Sequence, residues 1–296
     1  MANLLDIRRR IKSVKNTQQI TRAMKMMSAA RLKRAQDRVV AARPFAGKMV
    51  EVLSELASRT DEDFRHPLLN ARGDERYLIV LITADRGLCG AFNTNLIKAA
   101  QAFIAENAGK SIEMLPIGRK GRDFFRRRGI QLVGEYVGLT GKGSIEYAEA
   151  QEIAHRIIER FTEDEELDKV FVIYNEFKSV LQQRVVVEQI LPVSRVGETT
   201  GEETGGQPAA AATEYIYEQS PEQIFSRLLP RMVETQIFRA LLESVASEHG
   251  ARMTAMDSAS KNAGELIGSL TLNMNRIRQA AITNEIIEVV SGASAL

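Results

Sequence analysis

Residues 4–58 read LLDIRRRIKSVKNTQQITRAMKMMSAARLKRAQDRVVAARPFAGKMVEVLSELAS, and the spacing of their apolar positions decides the fold. From Ile7 the steps run 4 and 3 in turn: Ile7, Ile11 and Val14, then Leu32, Ala35, Val39, Ala42, Ala46, Met49, Leu53 and Leu56. Gln18, Thr21, Lys25 and Ser28 keep the same register across the gap, so the seam continues but turns polar. A 3.5-residue repeat held over this length predicts a left-handed coiled coil. At ~1.5 Å per residue, about fifty residues make a rod of roughly 75 Å, too long for a compact globule to cover. Asn3 is placed to cap the helix, and Asp6 suits its first turn. Pro44 lies inside the pattern and removes one donor, which predicts a kink rather than an end. The first segment is therefore a coiled-coil helix over 1–58.

The other end of the chain repeats the theme over 220–292. Ser220-Pro221-Glu222-Gln223 starts a helix, with Ser220 as cap, Pro221 as first residue and Gln223 completing a capping box. Pro230 is expected to interrupt it early, and Gly292 to stop it. From Arg231 the run is free of proline and would reach about 90 Å. The two helices must run antiparallel if the termini meet at one end, forming a shaft.

Between them, over 75–195, strands alternate with helices. Tyr77–Thr83 is a continuous apolar run, as a strand buried on both faces should be. A helix over Thr94–Asn107 follows, then a strand over Ile112–Ile117 and a short basic helix over Lys120–Arg128. A third strand, Ile130–Val137, leads to a helix over Ile145–Phe161 capped by Ser144. Val170–Phe177 and Arg184–Leu191 read as a hairpin. The pattern predicts a Rossmann-like, mostly parallel α/β domain with an antiparallel edge, inserted into a long antiparallel coiled coil. The low-complexity stretch inside 196–214 is expected to be a flexible loop.

The formal net charge of +2 hides an asymmetry. Residues 1–58 hold 13 Lys/Arg against 4 Asp/Glu, while residues 59–213 come to −4 and residues 214–296 to −3. A cationic rod in a nearly neutral protein seeks an acidic surface. No run of about 18 apolar residues is present to span a membrane. The N-terminus has no apolar signal core; its arginines suit a transit peptide, but the helix start and unbroken heptads predict mature structure. A single cysteine, Cys89, permits no intramolecular disulfide and suits a reducing compartment.

Asp85-Arg86-Gly87-Leu88-Cys89-Gly90 follows a strand and precedes a helix, where phosphates often bind. Neither G-x-G-x-x-G nor G-x-x-x-x-G-K-[ST] is present, so the turn reads as structural and presents Arg86. His66, His155 and His249 are scattered, and no set of carboxylates, nucleophile and base suggests catalysis. The chain is expected to be non-catalytic and to carry no cofactor or metal. Met24, Met26 and Met27 beside Arg22 and Lys25 read as adaptable packing on a cationic face. A phosphate-tracking coiled coil lacks interleaved aromatics before Phe45, and a nucleotide-dependent enzyme lacks its motifs.

Three stretches resemble the γ subunit of F-type ATP synthase, bacterial type. They are Ile11–Met26, the turn Asp85–Gly90, and Ile282–Ala293 with Glu248–Met253 before it. The resemblance implies a central rotor stalk turning inside a ring of three α and three β subunits, with the sheet domain at the foot against the ε subunit and the membrane c-ring. It implies transmission of rotation between a proton-driven ring and the catalytic ring, with the chain peripheral on the cytoplasmic face of the bacterial inner membrane. It implies neither nucleic-acid binding nor a homo-oligomer. By the same resemblance, Arg22, Met24 and Lys25 face acidic loops of β. Arg86, Arg252, Arg278 and Gln279 match positions contacting the catalytic subunits, and Thr283, Glu285 and Glu288 help couple the second helix to the ring.

Overall fold

The protein is described from a computed structural model covering residues 4–59, 66–142, 145–180, 182–193 and 220–294. In chain order the elements are α1 (Leu4–Arg59), β1 (Arg76–Ile82), α2 (Phe92–Glu106), β2 (Ser111–Ile117), α3 (Arg119–Arg126), β3 (Gln131–Leu132), α4 (Tyr147–Glu163), β4 (Lys169–Phe177), β5 (Gln183–Leu191) and α5 (Pro221–Ser294). They form two compact units, 1–30 with 252–296, and 31–251. Asn3, Ser144 and the 196–214 loop lie outside the described residues.

In the larger unit the strand order is β3-β2-β1-β4-β5. β1 pairs in parallel with β2 and β4, β2 pairs in parallel with β3, and β4–β5 is antiparallel, as the hairpin spacing predicts. β1 is central and buried from Tyr77 to Ile82, which explains its unbroken apolar sequence. Ile79, Leu81, Met114 and Ile173 pack one face of the sheet with Phe92, Leu96 and Ala100 of α2 and Phe125 of α3. β1–α2–β2 and β2–α3–β3 advance to one side of β1, and the chain then returns through α4 to place β4 on the other.

The third strand is shorter than its sequence predicts. Only Gln131–Leu132 pairs as a strand, with an isolated bridge from Ile117 to Tyr136 beyond it. The Pro116 carbonyl receives the Tyr136 N–H at 3.1 Å, so the Pro116 nitrogen faces the same side and has no hydrogen to offer. The ladder breaks there. α4 likewise begins at Tyr147 rather than Ile145, with Glu146 as its cap. The Glu149 carboxylate accepts the Glu146 N–H at 3.1 Å, closing a capping box two residues beyond the cap expected at Ser144.

The same unit contains α1 from residue 31 and α5 up to residue 251. Leu32, Ala35, Val39, Met49, Leu53 and Leu56 are buried, and Ala42 and Ala46 half-buried, as the seam predicts. α5 is continuous through Pro230, against the expected interruption. Buried Phe225 and Leu229 anchor the turns around the proline, and packing outweighs one missing donor. From Ala240 to Gly250 every α5 residue is buried, polar ones included. Those polar groups fasten it to the sheet: Glu243 accepts the Phe177 N–H at 2.9 Å, and Ser247 donates to the Asn175 carbonyl at 3.1 Å.

In the smaller unit α1 and α5 run antiparallel. Gln18 Nε2 donates to the Ser260 carbonyl at 3.1 Å, and the Thr21 and Ser260 hydroxyls meet at 2.7 Å. One turn on, Lys25 reaches Asp257 at 2.6 Å. Buried Thr21 and Ser28 confirm that the seam turns polar without losing register. α5 continues past Gly292 to Ser294, so that glycine does not end it.

Candidate functional site

Two surfaces carry the residues singled out above, and they lie in different units. Arg86 belongs to the sheet unit; Arg22, Met24, Lys25, Arg252, Arg278, Gln279, Thr283, Glu285 and Glu288 belong to the helical one.

In the helical unit the pairs Lys25–Asp257, Thr21–Ser260 and Gln18–Ser260 set the register. Continuing it puts Leu4 opposite about residue 278 of α5. Beyond that point α1 supplies no neighbour, and residues 278–291 are exposed without exception. Arg278, Gln279, Thr283, Glu285 and Glu288 therefore all face solvent. So do large apolar side chains: Ile282 is 48% exposed, Ile286 58%, Ile287 55%, Val289 72% and Val290 62%. Positions 282, 286, 289, 290 and 287 form one contiguous apolar stripe over roughly half of the circumference, and Asn284, Glu285 and Glu288 occupy the other side.

Arg22 is exposed and Met24 half-buried, with Met26 and Met27 exposed beside them. The Lys25 ammonium is bound to Asp257 within the chain, while its side chain stays 44% exposed. Asp257 also takes Lys261 at 3.0 Å, and its carboxyl sits below the ordinary value because Lys25, then Lys261, favours the charged form. Arg252 is 8% exposed within the chain.

In the sheet unit Arg86 stands exposed on the turn after β1, next to Leu88, whose φ of 63° is a left-handed conformation. The preceding residue, Asp85, is 9% exposed. Its Oδ1 accepts the N–H of Arg119 at 3.1 Å and of Gly138 at 2.9 Å. Its Oδ2 accepts the Thr140 hydroxyl at 2.9 Å and the Gly141 N–H at 3.2 Å. Cys89, 1% exposed, receives an amide N–H from Asn93 at 3.1 Å and is a packing residue. No cluster of His, Cys, Asp and Glu able to hold a metal exists among the described residues, and no described helix is long and apolar enough to cross a membrane.

A family profile described as ATP synthase matches residues 3–296. The ATP synthase gamma chain of Solibacter usitatus is 52% identical over 298 residues, covering 100% of this chain and 99% of the relative. That of Desulfitobacterium hafniense is 49% identical over 296 residues, covering 100% of each. The chain belongs to the ATP synthase gamma-chain family. Among solved structures, a chain of the central stalk and c-ring of the Tetrahymena thermophila mitochondrial ATP synthase superposes with a TM-score of 0.58 at 25% identity, covering 81% of this chain and 99% of that one. A chain of the Euglena gracilis mitochondrial ATP synthase gives 0.68 at 19% identity, covering 99% and 94%, and shares the fold.

For a gamma-chain family member, the residues missed from sequence are as telling as those found. The apolar side chains among 278–291 were quoted only inside a motif, although their lack of a heptad partner in α1 was countable. Asp85 was read as part of a turn, and nothing local announces that its carboxylate gathers segments more than thirty residues away.

Proposed function

We propose that this chain is the central rotor-stalk subunit of a bacterial F-type ATP synthase, peripheral on the cytoplasmic face of the cell membrane. It is not catalytic itself. It transmits rotation between the proton-driven c-ring and the catalytic ring of three α and three β subunits, with ε as a further partner, for ATP synthesis and its regulation. The observation that carries this reading is the α5 end, 278–291, helical yet exposed on every face, with a stripe of isoleucines and valines among its exposed residues. Such a stripe, on an end that no part of α1 covers, marks a surface for a partner outside this chain. Apolar contact is non-directional, which suits a part that turns against its partner.

Arg22, Met24, Arg86, Arg278, Gln279, Thr283, Glu285 and Glu288 are the contact residues in this proposal. Exposed ion pairs of ~0–1 kcal/mol each give a rotating part weak, exchangeable holds. Lys25 acts through Asp257 by fixing the register of the two helices, and Arg252 acts from the interior.

Co-expression with α and β subunits and assay of the purified complex tests the reading. A complex of three α, three β and this chain, whose sustained ATP hydrolysis requires the chain, is the expected result. Elution of the chain alone, with α/β activity unchanged by it, overturns the proposal. Within the complex, Arg278→Ala is expected to lower the protons pumped per ATP while assembly persists.

A further inference from the structure

The sheet order β3-β2-β1-β4-β5 reverses direction between β1 and β4, and open α/β sheets bind ligands outside the carboxyl ends of the strands at such a reversal. The β1 end of that crevice here is the turn Thr83–Arg86. Three backbone N–H groups and a hydroxyl converge on it from separate segments: Arg119 opening α3, Gly138 in the following loop, and Thr140 with Gly141 in the 3-10 turn Thr140–Lys142. Convergent amides of this kind are the hardware of a phosphate site. The anion they hold is the chain's own Asp85 carboxylate, with all four contacts between 2.9 and 3.2 Å.

We propose that Asp85 is a resident internal anion that fills an oxyanion cradle at the sheet's switch point, so that the fold's usual phosphate position is closed in this protein. Several features support occupancy by design rather than a chance contact. The Thr140 hydroxyl donates to the carboxylate and also accepts the Asp85 N–H at 3.0 Å, locking the aspartate from both ends. Gly118, just before α3, has φ 97° and would bring a Cβ to 2.0 Å from the Thr83 carbonyl, so only glycine lets the amide of Arg119 reach inward. Gly138, which supplies the second donor, also has a positive φ of 91°, a backbone conformation that favours glycine. Thr83 Oγ1 accepts the Gly121 N–H at 2.9 Å, fastening the first turn of α3 to the same strand end. The Arg119 donor thus approaches from a backbone already braced. Removing the carboxylate would leave the donors in place around a vacancy suited to a tetrahedral oxyanion, with cationic Arg119 and Lys120 at its rim.

The test compares the full chain with Asp85→Ala and Asp85→Asn in chloride and in inorganic phosphate at constant ionic strength. Asp85→Ala is expected to melt several degrees below the wild type in chloride, and phosphate is expected to restore part of that loss saturably, as binding to the folded state alone requires. Wild type is expected to show no phosphate-dependent shift. An equal shift in both proteins would mean adventitious binding to the basic α3 surface and would overturn the proposal, as would a normally stable Asp85→Ala that ignores phosphate. Asp85→Asn keeps the side-chain volume but loses the charge and one acceptor, and amide exchange reads it without requiring the alanine variant to fold. Faster exchange at Arg119, Gly138 and Gly141 together is expected. Changes confined to residues 83–90 would refute the cradle.

Discussion

Glu243 holds two elements with one carboxylate. With 6% of its side chain exposed, one oxygen takes Arg43 at 3.1 Å and the other the Phe177 N–H at 2.9 Å. Glu243→Ala leaves the Phe177 N–H without its acceptor, at a cost of ~1–3 kcal/mol for a stranded buried group. Glu243→Gln retains an acceptor and is expected to recover most of that loss in urea unfolding. Asp257 makes a different prediction, because Lys25 first and Lys261 second lower its folded pKa. A depressed carboxyl contributes stability that is present above the unfolded value, about 3.9, and is lost as pH falls through the lower folded value. The melting temperature of the wild type is therefore expected to fall more steeply than that of Asp257→Asn on acidification below about pH 4. Parallel curves would show that the pair adds nothing to the folded state.

At the scale of elements, α1 was legible almost residue by residue. Every seam position from Ile7 to Leu56 is buried or half-buried, because a heptad is a local geometric statement that any antiparallel partner satisfies. The paired strands were legible for a similar reason: β1 is apolar from Tyr77 to Ile82 because it is buried along that whole length. The errors fall where a distant atom decides. Pro116 curtails β3 from the neighbouring strand, buried Phe225 and Leu229 carry α5 through Pro230, and Asp85 gathers loops that are separate in sequence. Of the candidate site, the exposed residues were readable from charge and resemblance, whereas the interior placement of Arg252 and the Lys25–Asp257 pair needed three dimensions. The seam itself predicts unequal mutational costs. Leu53 is 1% exposed, and Leu53→Ala should cost ~2–5 kcal/mol in thermal or urea melts. In the polar section, replacing Thr21 by Val and Ser260 by Ala together should be close to neutral, since both hydrogen-bonding partners vanish at once.

For the molecule as a whole, stability and function draw on different residues. Residues 280–291 bury none of their members, so truncation after Gln279 is expected to leave the chain's own melting temperature unchanged while weakening ATP hydrolysis by the assembled complex. A lowered melting temperature in the truncated chain would show that this end packs where it is drawn bare. The excess of cations in the first 58 residues adds a salt-dependent component, so assembly with an acidic partner should slow as ionic strength rises. The bare end of α5 also bears on how a cell keeps count of its subunits. In the proposed assembly a copy seated in its ring would hide Ile282, Ile286 and Val289, whereas a surplus copy displays them to every chaperone and protease it meets. On that reading the side chains that serve an assembled copy would also mark an unassembled one for removal, matching supply to demand without a separate sensor.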